Sequence, residues 1–262
     1  MKHIFKSLLI FIFFYVFTSC ETLDALLGAA TDDSNGITNE EAISAFKSAM
    51  NIGASAASDN LGREDGYYKN EMLKILLPPE ADIIIENLAK IPFGQALVDD
   101  VVLRINRSAE TAAKEVAPIF ASAITEMTVM DGLEIVFGDK TACTNYLHEK
   151  TYDKLVELFL PKMQSCLNSP MVMGVSANTA WEKLVTAYNT VAKPANMSAK
   201  LFGQPEPMPA VTADLGRFTT EKALDGLFTK VAAEEKKIRD TPLSYPSEIV
   251  RKVFSYVKSN QK

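Results

Sequence analysis

Histidine is almost absent from this sequence, which has only His3 and His148 among its 262 residues. A zinc site built from several histidines is therefore excluded, and the Glu-x-x-His pair of a di-iron helical bundle does not occur. A Ser-His-Asp hydrolase would have to use His148, yet no Gly-x-Ser-x-Gly segment exists to present the nucleophile. These shortages predict no metal ligand and no catalytic residue.

Several other sequence signals of known chemistry are missing. No Gly-x-x-x-x-Gly-Lys-Ser/Thr loop is present to cradle phosphates, no Cys-x-x-Cys motif indicates thiol redox chemistry, and no run alternates apolar and polar residues as a half-buried strand does. Basic residues are fewer than acidic ones, 27 against 33, for a formal charge of -6. Because the phosphates of nucleic acids require basic surfaces, this balance argues against a nucleic-acid partner. No cofactor is predicted.

The sequence begins with the features of an export signal. Lys2 and Lys6 start the chain, an uninterrupted apolar run covers residues 8–17, and two small residues precede Cys20. This order is typical of a secretory signal, and a cysteine directly after the small residues is the acceptor that lipoprotein processing requires. The alternative, an uncleaved transmembrane helix, is disfavoured because the apolar run is shorter than the roughly 20 residues that span a bilayer. We therefore predict cleavage of a signal peptide at residues 1–19 and lipid on Cys20.

The predicted lipid determines where the protein is expected. Two or more acyl chains hold a protein stably on a membrane, so the membrane is an expected partner through this lipid. The mature chain is expected in the cell envelope, on the inner or outer membrane, with its domain in the periplasm. Residues 20–37 contain several turn-forming residues and are interpreted as a tether, and residues 38–262 as a single helical domain.

Apolar residues recur with the helical period almost throughout residues 38–262, which predicts an all-α domain of roughly eight to ten helices. Pro118 is expected to kink or restart a long helix, because proline removes a helical hydrogen bond. A new helix is predicted to begin at Thr151, which places His148 near the end of the preceding helix. Residues 193–210, with four prolines, are expected to form a surface loop.

Capping residues indicate where some of these helices begin and end. Thr38 and Glu41 form a capping box that opens the first helix. Thr128 with Asp131 is predicted to open a later helix, and Gly138 to close it.

Charged and amide side chains lie on or beside the apolar stripes of several predicted helices. Glu235 and Arg239 are one turn apart at the buried face of a late helix, and Arg107 and Glu110 form an i, i+3 pair. Burying a charge is costly unless it is paired, so we expect an inter-helix network in which arginines meet glutamates. Its candidate members are Asn106, Arg107, Glu110, Glu126, Glu235 and Arg239. The alternatives are a polar pocket for a small charged ligand and, with less support, catalysis by paired carboxylates.

Two cysteines remain once Cys20 is assigned to the lipid. Cys143 and Cys166 are able to pair in an oxidising compartment, and the alternative is that both are buried free thiols. Their spacing in the sequence is not diagnostic of a disulfide. Both states therefore stay open.

Motifs are spread along most of the chain. They are Asp65-Gly66-Tyr67, Lys74-Ile75 before Leu77-Pro78, Asn106-Arg107-Ser108-Ala109-Glu110, Met127-Thr128 with Asp131, Lys222-Ala223-Leu224-Asp225-Gly226-Leu227-Phe228, and Glu234-Glu235 followed by Ile238-Arg239. In this order they resemble a family of bacterial exported proteins known as domain of unknown function 4197, over roughly residues 41–256. The sequence departs from the family pattern at Gly132, where alanine is expected, and at Cys143, where a small residue without a thiol is expected. The resemblance implies a helical envelope domain without an assigned activity.

Functions of different classes remain for the helical domain. The leading expectation is a non-enzymatic, membrane-anchored envelope lipoprotein that acts as a binding or structural module for an unknown envelope protein or small ligand. One alternative is an enzyme that uses the arginines and glutamates, for which an open pocket at Arg107, Glu235 and Arg239 would be evidence and a sealed network would not. The other is a carrier with an apolar cavity, whose candidate wall residues are Trp181, Tyr188, Met171 and Met173.

Overall fold

The computed structural model of the protein describes residues 36–170, 172–212 and 214–260. The predicted signal peptide, the lipid acceptor Cys20 and all but the last two residues of the predicted tether lie outside these ranges. Within them, no helix has both the length and the apolar character that crossing a bilayer requires. From Asn39 onward the described residues form one compact unit.

Nine α-helices make up this unit in the described residues, which confirms the predicted all-α fold. They are α1 (Asn39–Leu61), α2 (Asp82–Glu86), α3 (Gly94–Ala113), α4 (Val116–Glu126), α5 (Gly132–Phe137), α6 (Ala142–Asn168), α7 (Ala177–Leu201), α8 (Leu215–Asp240) and α9 (Glu248–Asn260). Single 3-10 turns occur at Pro79–Ala81, Leu88–Lys90 and Pro242–Ser244. No strand forms in the described ranges, where an isolated bridge joins Val172 and Val175.

The packing of α1 against α8 forms the centre of the unit. Helices α4, α5 and α9 also pack on α1, α6 packs on α8, and α3 packs on α6 and α7. The approach of α1 to α8 is close, because an added Cβ at Gly53 would lie 3.0 Å from Cγ1 of Val231. Phe46 and Met50 of α1 are fully buried. Apolar burial of this kind is the main favourable contribution to folding.

Proline interrupts the helices less than the sequence predicts. Pro118 lies in the first turn of α4, where its missing N–H has no partner to lose, so it restarts the helix. The predicted loop at 193–210 is wrong in its first half, since α7 continues through Pro194. The side chain of Asn196 explains this continuation. It donates to the carbonyl of Met208 at 2.7 Å and accepts from the amide of Met208 at 3.1 Å, so the returning chain holds the last turns of α7.

Helix α6 is also longer than the sequence predicts. It runs without a break through Thr151, where a new helix is predicted, and His148 therefore lies near the beginning of a helix rather than near its end. The hydroxyl of Thr151 donates to the carbonyl of Leu147 at 2.6 Å. This bond within the helix occupies the side chain that would otherwise cap a new one. His148 is exposed and stacks on Tyr152, with 4.5 Å between the ring centroids.

Gly132, where the sequence departs from the family pattern, begins α5 beside α1. An added Cβ at this glycine would lie 2.6 Å from the backbone nitrogen of Ile43. The side chain of Asn39 holds the two helices at this spacing. It accepts from the amide of Leu133 at 3.1 Å and donates to the carbonyl of Met130 at 2.8 Å. Alanine at position 132 therefore requires a wider spacing of α1 and α5 than this chain has.

Candidate functional site

Glu235 and Arg239 form a buried ion pair near the end of α8. The Nε and Nη2 atoms of Arg239 lie 2.9 and 2.8 Å from Oε1 of Glu235. Glu235 is 0% exposed and Arg239 is 8% exposed. The guanidinium also lies over the ring of Phe254, 5.2 Å from its centroid. Both charges are therefore removed from solvent and compensated by each other.

The Glu235–Arg239 pair joins the end of α5 to the start of α6. Glu235 accepts from the backbone amides of Cys143 at 3.0 Å and Thr144 at 2.8 Å, and from the hydroxyl of Thr144 at 2.7 Å. These amides belong to the first turn of α6 and have no partner within that helix. Arg239 donates to the carbonyl of Val136 in the last turn of α5 at 2.7 Å. A negative charge at a helix start and a positive charge at a helix end are both favourable.

Arg107 and Glu110 form a second cluster on α3, which holds the turn after α1. Oε1 of Glu110 accepts from the amides of Tyr67 at 3.1 Å and Tyr68 at 3.0 Å, and Oε2 accepts from Nη1 of Arg107 at 2.6 Å. Nη2 of Arg107 donates to Oδ1 of Asp65 at 2.7 Å. Asp65 has a positive φ of 67°, in the left-handed region that residues other than glycine adopt only rarely. These five residues are called the Glu110 cluster below.

Tyr67 connects the Glu110 cluster to the core of the unit. Its side chain is fully buried, its hydroxyl donates to the carbonyl of Ala223 at 2.7 Å, and an added Cβ at Gly226 would lie 2.8 Å from its ring. Burial raises the pKa of the Tyr67 hydroxyl well above its ordinary value, and the charge of Glu110 adds to the rise. The hydroxyl therefore stays protonated and acts as a donor.

Asn106 is the amide of the predicted network, and it serves the irregular segment at residues 74–78. Its Oδ1 accepts from the amide of Ile75 at 2.9 Å, and its Nδ2 donates to the carbonyls of Ile75 and Val102, both at 2.7 Å. The side chain is fully buried. Asn106 thus satisfies the backbone amide and carbonyl of Ile75, which lie outside any helix, and this is a structural role.

The predicted single network is wrong, because its members separate into two clusters and one lies outside both. Arg107 faces the turn after α1, whereas Arg239 lies between the ends of α5 and α6. Glu126 joins neither cluster. It is the last residue of α4, with an exposed carboxylate that pairs with Lys154 and accepts from Ser122.

The sequence analysis missed three buried or half-buried polar residues. Asp65 and Thr144 contact partners 42 and 91 positions away in the sequence, which only the fold brings near. Arg104, buried on α3, donates from Nη1 to the carbonyls of Val172 and Val175 at 2.5 and 2.6 Å. Its pairing with Asp100, one turn earlier on α3, is a helical-spacing signal that could have identified it.

Cys143 and Cys166 lie 23 positions apart on the same helix, α6. At about 1.5 Å of rise per residue their Cα atoms are about 34 Å apart, far beyond the roughly 7 Å that a disulfide tolerates. Pairing within one chain is therefore excluded, and both cysteines are buried free thiols. Burial raises the pKa of both thiols, that of Cys143 well above its ordinary value.

We expect both thiols to react with a thiol reagent only after unfolding, because reaction requires an accessible thiolate. The Cys20→Ser chain contains these two thiols alone. Titration of its native form with a chromogenic disulfide reagent should show no fast reaction, and denaturant without reductant should release two reactive thiols. Reaction of the native protein within seconds would contradict the burial. Fewer than two thiols after unfolding would show that a disulfide had formed.

Open clefts and hollows lie at several places on the surface of the unit. Arg107 lines a cleft of about 630 Å³, but three carboxylates already surround its guanidinium. A hollow of about 690 Å³ borders α7, and an adjoining one of about 300 Å³ shares Trp181 and Asp214 with it. Within the described residues, no three His, Cys, Asp or Glu side chains are arranged to hold a metal ion.

The proposed wall residues of a carrier cavity are not brought together. Trp181 lines the hollows beside α7, whereas Met173 lies on the Arg107 cleft and is 93% exposed. Tyr188 is a core residue whose hydroxyl donates to the carbonyl of Pro209 at 2.7 Å. Met171 lies outside the described residues.

Comparisons with known proteins agree with the family resemblance. The model of a family described as "Protein of unknown function (DUF4197)" matches residues 36–255. No curated protein and no solved structure matches the chain. The matched range contains α1 to α8 and the first part of α9, and with them both charged clusters and Trp181. The chain therefore belongs to the DUF4197 family of proteins of unknown function.

Proposed function

We propose that this chain is a lipid-anchored protein of the bacterial cell envelope, whose helical domain is a binding or structural module without catalytic activity. The observation that carries the proposal is the sealing of the Glu235–Arg239 pair. The carboxylate of Glu235 has no exposed surface, and its hydrogen bonds go to the start of α6. A general base or acid must come within hydrogen-bond reach of its substrate. Sealing of this kind favours a scaffold over an enzyme at this cluster.

The Glu110 cluster supports the same reading. Arg107 and Glu110 are the members that border an open cleft. The guanidinium of Arg107 contacts the carboxylates of Glu64, Asp65 and Glu110 at 3.3, 2.7 and 2.6 Å. Hydrogen bonds from Lys69 and Arg107 hold the pKa of the Asp65 carboxyl below its ordinary value, so this group stays ionised beside Arg107. The positive charge is therefore compensated, and little attraction remains for a small anionic ligand.

The N-terminal sequence supports the anchored location. A basic start, an apolar run and small residues precede Cys20 in the order that lipoprotein processing requires. Helix α1 begins at Asn39, 19 residues after Cys20. Nineteen fully extended residues reach about 65 Å at most, which bounds the distance between the lipid and the start of α1.

Replacing Cys20 with serine is expected to move the protein from the membrane fraction to the soluble envelope fraction, because the lipid has no other acceptor in this segment. Fractionation and mass spectrometry of the N-terminus measure the change. Cys166→Ser, which removes a buried thiol and leaves Cys20, is the matched control and should stay in the membrane fraction. A Cys20→Ser protein that remained in the membrane pellet at the wild-type size would indicate an uncleaved transmembrane anchor instead.

A further inference from the structure

A groove with Trp181 at its centre lies where the end of α6, the first turns of α7 and the start of α8 meet. Its two adjoining hollows have volumes of about 690 and 300 Å³. We call this surface the Trp181 groove, and its polar lining includes Trp181, Glu182, Thr186, Asp214, Asn168 and Asn178.

The indole N–H of Trp181 is a hydrogen-bond donor without an acceptor in the part of the chain that the structure describes. The residue is only 9% exposed. Among the described side chains, the polar atoms that are both fully buried and unpartnered are Oγ1 of Thr219 and Oγ of Ser255. The indole nitrogen of Trp181 is unpartnered but is not one of these atoms, so it is accessible to solvent. The N–H is therefore free to donate to an acceptor that a ligand brings.

The polar rim of the Trp181 groove is acidic and rich in amides. Glu182 has no partner in the described residues, and Asp214 uses only Oδ1, which accepts from the amide of Arg217 at 3.2 Å. Asn168 and Asn178 contribute amides that are joined by a bond of 2.8 Å. No lysine or arginine is among the described residues that line either hollow. The groove therefore disfavours anions and offers acceptors to a ligand that carries donors.

We propose that the Trp181 groove binds a neutral oligosaccharide, an inference that rests on the binding role proposed above for the module. A hydroxyl group both donates and accepts hydrogen bonds. Sugar hydroxyls therefore accept from the N–H of Trp181 and donate to the carboxylates of Glu182 and Asp214. A simple cation would pair with the carboxylates but has no atom that accepts a hydrogen bond from the indole N–H of Trp181. The C–H groups of the sugar rings pack against Val185 and Val211, which are apolar residues of the larger hollow.

The chain itself supplies the reporter for a test, since Trp181 is its only tryptophan. The full chain in detergent is titrated with three tetrasaccharides, made of N-acetylglucosamine, of glucose in β-1,4 linkage and of glucose in α-1,4 linkage. We expect at least one of them to shift the fluorescence of Trp181. Calorimetry should give a matching isotherm. Co-sedimentation with insoluble cell-wall glycan distinguishes a polymeric source from free sugar. The inference is overturned if no neutral sugar binds at about 10 mM, or if inorganic phosphate or spermidine binds in its place.

Variants of the groove sharpen this test. Trp181→Phe keeps an aromatic ring without the N–H and is expected to weaken sugar binding about tenfold or more by calorimetry. Glu182→Gln, an exposed change that does not threaten the fold, is expected to weaken it on the order of threefold. Glu206→Gln changes an exposed carboxylate that lies outside the lining of both hollows, and should leave affinity unchanged.

Two results separate this inference from the proposed anchoring. Wild-type affinity in both Trp181→Phe and Glu182→Gln would overturn the assignment of the sugar to this groove. Lipid attachment is measured independently, by fractionation of the Cys20→Ser protein. If no sugar binds but the wild-type protein stays in the membrane fraction, the sugar site in the groove is rejected and the proposed anchoring is not.

Discussion

Replacing Arg239 with alanine is expected to lower the free energy of unfolding by about 3–5 kcal/mol, which is typical when one partner of a buried ion pair is removed. The variant leaves Glu235, which is fully buried, without its cation. It also leaves the carbonyl of Val136 without its donor and removes the contact with the ring of Phe254. Denaturant unfolding of the full chain, followed by circular dichroism, measures the loss.

Lysine at the same position tests the geometry of the pair. Arg239→Lys keeps the charge, but a single ammonium does not reproduce the several contacts of the guanidinium with Glu235 and Val136, so a loss of about 1–3 kcal/mol is expected. Arg217→Ala is the matched control, because Arg217 is also one turn from a glutamate on α8 but is 52% exposed. Its expected loss is about 0–1 kcal/mol. A loss below about 0.5 kcal/mol for Arg239→Ala, the ordinary surface range, would place its guanidinium in solvent.

The fold class is predictable from this sequence because helical period and capping are local properties. Helix α1 begins directly after the predicted cap Thr38, and α5 ends directly before the predicted limit Gly138. The predicted opening at Thr128 is wrong, because α5 begins only at Gly132. The errors have a tertiary cause. Helix α7 continues through Pro194 because Asn196 bonds to a segment that returns along the helix, and the sequence does not show where that segment runs.

The charged clusters are predictable only in their local part. Glu235 and Arg239 are one helical turn apart, and so are Arg107 and Glu110, so spacing along a helix identifies both pairs. Spacing does not identify the other partners of each pair. Glu235 accepts from backbone amides some 90 positions away in the sequence, and Glu110 from amides some 40 positions away. Glu126 shows the reverse error. It shares an apolar stripe in the sequence, but it is the last residue of α4 and its carboxylate is in solvent.

The Trp181 groove has still less sequence signal. Three helices contribute to it. The lining residues Asn168 of α6 and Leu215 of α8 are more than 40 positions apart in the sequence. The type of residue alone made Trp181 a candidate wall residue, and with an apolar cavity in mind. Its unpartnered N–H and the acidic rim, which change the expected ligand from an apolar to a hydroxylated one, are properties of the folded chain only.

Replacing Glu110 with alanine is expected to release the turn after α1 and to lower the free energy of unfolding by about 3–5 kcal/mol. The variant leaves the amides of Tyr67 and Tyr68 without their acceptor, and Nη1 of Arg107 without its carboxylate. An unsatisfied buried donor costs about 1–3 kcal/mol, and the bond to the amide of Tyr67 is buried. Arg107 keeps its bond to Asp65. The turn therefore loses its contacts with the Glu110 carboxylate but remains attached to α3 through Arg107.

Glu126→Ala is the control for this variant, since Glu126 was predicted in the same network but is 58% exposed and pairs with Lys154 at the surface. Its expected loss is about 0–1 kcal/mol. Limited digestion with trypsin separates a local effect from a global one. Release of the turn frees the backbone around the exposed Arg63, so the Glu110→Ala protein should be cut there before the rest of the domain unfolds. Equal stability of the two variants would mean that contacts other than the Glu110 carboxylate hold the turn.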